Sequence, residues 1–189
     1  MQQTMRGTYK KTKLQGFTLI ELLVTLSLIM LIYAAGSASF SFLIDHSRSH
    51  RDRSTLYMLI QTTRQLAIDR SATAVLCPSS NQIHCINDWA NSLIVFIDKN
   101  NNKRRDPEEI LITKFNTLAN KQARINYPKT QIRFNSQGVA NYYNGTLAYC
   151  FKDSISGIVI SRIGRIRFAQ DLDGDHIPDV NYNTPVHCN

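Results

Sequence analysis

The sequence predicts an α+β protein, a long N-terminal helix packed on a head of antiparallel strands. Three observations predict it. Residues 17–44, "FTLIELLVTLSLIMLIYAAGSASFSFLI", form a nearly unbroken apolar run. Residues 45–72 mix charge with apolar Leu56, Leu59, Ile60, Leu66 and Ala67, mostly at the three- and four-residue intervals of an amphipathic helix. Beyond residue 72 the pattern becomes a series of short runs rich in Ile, Val, Phe and Tyr, separated by Asn, Gly, Pro, Asp or Ser.

The first sixteen residues, "MQQTMRGTYKKTKLQG", carry Arg6, Lys10, Lys11 and Lys13 and no acid. They read as a basic cytoplasmic leader. A secretory signal would instead be cut beyond its apolar stretch at small residues, for which "AAGSAS" is the available site. The run from Phe17 to Ile44 is long enough to span a bilayer with some tilt. Its one carboxylate, Glu21, is costly in hydrocarbon unless it has a purpose or snorkels to the headgroups. No proline precedes Pro78, so one helix from 17 to 72 is expected, roughly 80 Å long at about 1.5 Å per residue.

The extended runs are "TAVLC", "SLIVFID", "EEILITKF", "ARINY", "TQIRFN", "TLAYCF", "GIVIS" and "GRIRFA". With no helical crossover between them, antiparallel hairpins follow. The whole, 189 residues at 43% hydrophobic and 19% charged, suits one globular domain plus a membrane-anchored helix. The formal charge of +8 falls to +4 without the leader, 18 Lys and Arg facing 14 Asp and Glu. That permits an anionic partner without demanding one.

The junction of "KLQG" with "FTLIELL" resembles the type III signal of type IV pilins and type II secretion pseudopilins. The resemblance implies cleavage by a prepilin peptidase between Gly16 and Phe17 and N-methylation of Phe17. It also implies an assembly role for Glu21, which would meet the α-amine of a neighbouring subunit; opposite charges in a low-dielectric layer are tolerable together and expensive apart. The implied architecture is the type IV pilin-like lollipop. A leader at 1–16 precedes a transmembrane and filament-core helix at 17–44, its amphipathic continuation at 45–72 and a β-rich periplasmic or extracellular head at 73–189. The implied location is the inner membrane of a Gram-negative bacterium, single-pass with the head in the periplasm, and then the pilus. The implied partners are other pilins and the peptidase. Further on, "WANSLIVFIDKNNNKRRDPEEILI" resembles the FimT/GspH minor pilins and pseudopilins. Met30 and Ala38 stand where many major pilins have a helix-bending glycine and proline.

Outside the cytoplasm, disulfides are the default state of Cys77, Cys85, Cys150 and Cys188, which lack the spacing of a zinc site. Three connectivities are open. The favoured one pairs Cys77 with Cys85 and Cys150 with Cys188.

The chain carries no nucleophile elbow, phosphate-cradling loop or HExxH, and its five histidines are scattered, so no enzymatic activity and no cofactor are assigned. Two acidic stretches raise calcium. In "DKNNNKRRDPEE", Asp98, Asn100, Asn102, Asp106 and Glu109 fall at calcium-loop positions, but Lys103 replaces the glycine of the sharp turn, and a hairpin turn is the favoured reading. In "DLDGDHIPD", Asp171, Asp173, Asp175 and Asp179 surround Gly174; a solvated turn is favoured, with a calcium-stabilised loop as the alternative, and no metal is assigned.

The remaining stretch is "GRIR". It resembles the GRxR motif of FimT proteins associated with DNA uptake in natural transformation, with Gly164, Arg165 and Arg167 at the matching positions. On a strand, Arg165 and Arg167 share one face about 7 Å apart, leaving Ile166 and Phe168 for the core. Two solvent-facing guanidiniums could each grip phosphate oxygens in paired hydrogen bonds. Arg162, Lys103, Arg104 and Arg105 would extend the patch if the fold brought them near. Such contacts carry no sequence information, so the expected binding is non-specific and salt-dependent. The competing expectation is that these arginines pair with the aspartates that follow. Three roles remain: a minor pilin that captures DNA for transformation, a structural minor pilin for pilus assembly, or a GspH-like pseudopilin.

Overall fold

The computed structural model describes residues 16–115, 118, 122–152 and 154–188, apart from the side chains of 35–40 and 42. The expected leader therefore lies outside the described residues except for Gly16. Helix α1 runs from Leu19 to Asp69. Thr18 starts it: its Oγ1 accepts the Glu21 N–H at 3.3 Å, and Thr18 and Glu21 have the spacing of a capping box. A carboxylate in the first turn also faces the positive end of the helix dipole. The helix stops at a Schellman turn, where Ala72 N–H donates to Ala67 O, Ser71 N–H donates to Ile68 O, and Ser71 adopts φ +47°. The end thus falls three residues before the expected 72.

The chain divides into two compact units, residues 1–44 and 45–189. In the first, apolar side chains from Leu19 to Tyr33 are exposed. Among the described residues no helix is long and apolar enough to cross a membrane. The expected span at 17–44 includes the seven side chains outside the description.

In the second unit the helix buries a stripe formed by Ser49, Asp52, Leu56, Ile60, Thr63 and Ala67. Every spacing is three or four residues, as one face of a helix requires. Leu59 and Leu66 flank the core and are half-buried. Asp52, inside the stripe, accepts a 3.0 Å hydrogen bond from the Tyr149 hydroxyl.

The strands are β1 (Thr73–Pro78), β2 (Leu93–Asp98), β3 (Leu111–Phe115), β4 (Arg124–Asn126), β5 (Ile132–Phe134), β6 (Gly145–Phe151), β7 (Ser154–Ile160), β8 (Ile166–Phe168), β9 (Asp179–Asn181) and β10 (Thr184–Pro185). They form two four-stranded sheets, β3-β2-β1-β5 and β4-β6-β7-β8, and a small β10-β9 pair. Every pairing is antiparallel.

Alternation explains the layering. Leu76, Val95 and Ile97 enter the main core, while Val75, Cys77, Ile94 and Phe96 form a second cluster on the opposite face, covered by half-buried Cys85 and Leu111. The second sheet repeats the arrangement: Leu147, Tyr149, Ile158 and Ile166 face the main core, and Ala148 and Cys150 pack under Val186 and Cys188 of the C-terminal tail. The disulfides join Cys77 to Cys85 and Cys150 to Cys188. Each fastens the segment that covers a sheet's outer face.

Candidate functional site

After β7 the chain turns through Ser161–Arg165 and enters β8. Ser161 N–H donates to Arg165 O, Gly164 N–H to Ser161 O, and Arg165 N–H to Ser161 Oγ, each at 2.9 Å. Arg162 O accepts from Ala140 N–H at 3.1 Å and Asn141 N–H at 3.0 Å, joining the turn to the loop after β5. Gly164 is buried with φ +85°, and a Cβ there would stand 1.9 Å from Gly138 O. That carbonyl also accepts from Arg64 Nε of α1 at 3.0 Å. The glycine of the motif therefore has a packing reason of its own: it lets the turn rest on the loop containing Gly138.

The outer side of the turn carries exposed Arg162, Ile163 and Arg165. Among the described residues neither Arg162 nor Arg165 is paired with a carboxylate. Lys129 belongs to the same basic neighbourhood. Burial first, and the charge of Arg162 second, hold its ammonium below the ordinary lysine value. Lys129 Nζ donates to Tyr142 O and, at 2.7 Å, to Asn144 O. The sequence reading missed it, because thirty-three residues separate Lys129 from Arg162 and only the β5–β6 connection brings them together.

Arg167 departs from the expectation of two solvent-facing forks. It is half-buried, and its guanidinium donates to Phe168 O at 3.2 Å and to Val180 O. The physical reason is β9, which sequence did not place and whose carbonyl captures the fork. On the other face Ile166 is buried, and Phe168 stacks on Tyr57 of α1 with ring centroids 4.7 Å apart.

Lys103, Arg104 and Arg105 sit on the β2–β3 loop, and no hydrogen bond or ion pair among the described residues joins them to residues 162–167. Arg105 instead donates to Ile83 O at 2.9 Å and Gln82 O at 3.4 Å, beside the Cys77–Cys85 loop. Arg104 Nε lies 3.3 Å from Asp106.

The carboxylates of that loop are engaged internally. Buried Asp98 pairs with Arg133 Nη1 at 2.8 Å and accepts the N–H groups of Asn102 and Lys103. Glu109 accepts from Lys99 N–H at 2.7 Å and Asp106 N–H at 3.1 Å. Hydrogen bonds from Asn100 lead the influences that hold Asp106 below the usual carboxylate range. Lys103 tolerates φ +69° without glycine. The loop is a hairpin turn built around a buried ion pair.

Gly16 and Phe17 precede α1 and are exposed, with open space around Gly16. Glu21 is exposed one turn into the helix.

Comparison with known proteins sets these features in a family. The profile of the family described as "Type II transport protein GspH" matches residues 53–164, and that of the "Prokaryotic N-terminal methylation motif" matches residues 11–35. A crystal structure of the type IV minor pilin FimU of Pseudomonas aeruginosa is similar with a TM-score of 0.51 at 13% identity, covering 67% of this chain and 91% of that one. The minor pseudopilin EpsH from the Type 2 Secretion System of Vibrio cholerae gives a TM-score of 0.47 at 11% identity, covering 64% of this chain and 95% of that one. No curated protein matches significantly. At such identities the FimU likeness establishes the fold, an α+β minor-pilin fold. The chain belongs to the GspH family, whose profile spans more than half of it.

Proposed function

We propose that this chain is a minor type IV pilin whose exposed Ser161–Arg165 turn contacts DNA phosphates without sequence preference during uptake. The coarser part, a subunit of the minor pilin or pseudopilin kind, follows from the family and the methylation motif. The proposal includes cleavage between Gly16 and Phe17 by a prepilin peptidase, methylation of Phe17, an inner-membrane anchor at residues 17–44, and association with other pilins through Glu21.

The single observation that carries the finer part is the turn itself. Gly164 seats it against the Gly138 carbonyl, and Arg162 and Arg165 are left exposed and unpaired with acids among the described residues. Lys129 adds a third positive charge nearby. The adjacent aspartates do not neutralise the arginines: among the described residues, their ion pair is Asp171 with His176 when that imidazole is protonated.

A second reading, a purely structural subunit for pilus assembly or secretion, is favoured by the internal use of Arg167, which half-removes the expected second fork. The test is transformation and pilus counting in a pilus-producing strain carrying Arg162→Ala and Arg165→Ala. Loss of DNA uptake with normal pili supports the receptor. Normal uptake, or loss of pili, supports the structural role.

A further inference from the structure

We propose that Asp171 and Asp173, in the connection between β8 and β9, form a calcium site together with Asp179, the first residue of β9. Each contributes a carboxylate oxygen, and the three oxygens lie within 4.8 Å of one another. Two oxygens bound to one calcium at about 2.4 Å are at most about 4.8 Å apart, and every pair among the three falls within that span. The donors are hard oxygens without sulfur or imidazole, which suits calcium rather than a transition metal.

The independent observation is Asp179. It is fully buried, and its Oδ2 accepts the Leu172 N–H at 2.9 Å. Among the described residues its Oδ1 is buried without a hydrogen-bond partner, and Asp179 belongs to the three-carboxylate group. A solvated turn has no use for a carboxylate withdrawn from water and left half-satisfied. A cation supplies the missing partner.

Repulsion within the loop agrees. The Asp175 N–H pulls the Asp173 carboxyl down, but desolvation and the charges of Asp175, Asp179 and Asp171 outweigh it and hold the group above its ordinary value. Asp171 is already oriented, accepting Gly174 N–H at 2.7 Å and His176 N–H at 3.0 Å. The remaining coordination positions would go to water or backbone oxygens, as calcium takes six to eight ligands.

The consequence is mechanical. Asp179 N–H donates to Gln170 O, and Val186 N–H donates to Pro178 O. A cation here ties the end of β8 to β9 and to the tail held by Cys188. The inference is independent of DNA binding.

The test uses the full chain in nonionic detergent, stripped with EDTA, with thermal unfolding and titration calorimetry against calcium chloride and, separately, magnesium chloride. One saturable calcium site is expected, with a rise of several degrees in Tm and a smaller response to magnesium. Asp179→Asn tests the buried ligand but removes part of the fold's own bonding. The exposed Asp173→Asn is the deciding variant: it should unfold no earlier than wild type without calcium yet bind calcium at least tenfold more weakly. No calcium-dependent heat or Tm change up to about 10 mM, well above the range of weak extracellular sites, overturns the proposal. So does calcium binding that Asp173→Asn leaves unchanged.

Discussion

Replacing Gly164 by alanine separates the packing role of the motif glycine from the charge role of its arginines. The substitution has two costs. A left-handed conformation costs a residue with a Cβ roughly 1–2 kcal/mol, and Gly164 sits at φ +85°. The new Cβ would also lie 1.9 Å from the Gly138 carbonyl oxygen and 3.1 Å from Arg64 Nε. Contact below 3.0 Å is not tolerated, so turn and loop must separate by more than about 1 Å. The bonds at stake are the two from Ala140 and Asn141 to Arg162 O and the one from Arg64 to Gly138 O. At about 1 kcal/mol net for each hydrogen bond, the three bonds and the conformational cost together come to about 4–5 kcal/mol. For a chain of this size that is a fall in Tm of about 10–15 °C. Gly174→Ala is the control, because Gly174 has φ +87° but nothing within 4 Å of its Cβ position; it should show only the conformational cost. The assay is calorimetric or near-ultraviolet thermal unfolding of the full chain in detergent with disulfides intact. Equal effects of the two substitutions, or a Gly164→Ala change below about 0.5 kcal/mol, would refute the close approach.

Other perturbations probe other parts of the fold. Arg133→Ala leaves Asp98 buried without its ion-pair partner and should destabilise by about 3–5 kcal/mol in urea unfolding. Ser71→Gly relieves the positive φ at the Schellman turn and should stabilise by roughly 1 kcal/mol, whereas Ser71→Val should do the reverse. Burial first, with the Asp52 charge contributing, pushes the Tyr149 hydroxyl up from 10.0 to about 12. Its contribution to stability is therefore full below about pH 10 and lost as pH rises through 12. Urea midpoints should be flat to pH 10 and then decline, with a shallower decline in Tyr149→Phe.

Much of the fold was legible because its signals are local. The apolar run and the spacing of Leu56, Ile60 and Ala67 specify the helix, and β-branched runs bounded by turn residues specify β1 to β8. Ser49, Asp52 and Thr63 were not legible as core positions, since polar residues join a buried stripe only when a partner such as Tyr149 meets them. The division into two sheets depends on β1 pairing β5 and β4 pairing β6, which sequence order does not reveal. Strands β9 and β10 are too short and polar to announce themselves. Their invisibility propagates to the site: without β9 there is no Val180 carbonyl to capture Arg167, and nothing to bury Asp179. The arginines themselves were readable, but as one face of a strand: Arg165 lies instead in the turn before β8, and Lys129 joins it only through tertiary structure.

The proposed DNA contact depends on the exposed arginine turn binding phosphates. A salt-series titration of labelled duplex DNA against the full chain in nonionic detergent, beside the Arg162→Ala, Arg165→Ala double variant, tests it most directly. Wild type is expected to bind at low salt, with affinity falling as salt rises. In the double variant the slope of log affinity against log salt should be shallower by about 2, near one for each lost phosphate contact. Wild-type chain that fails to bind at low salt, or a double variant with the same affinity and slope, would contradict phosphate binding by the turn.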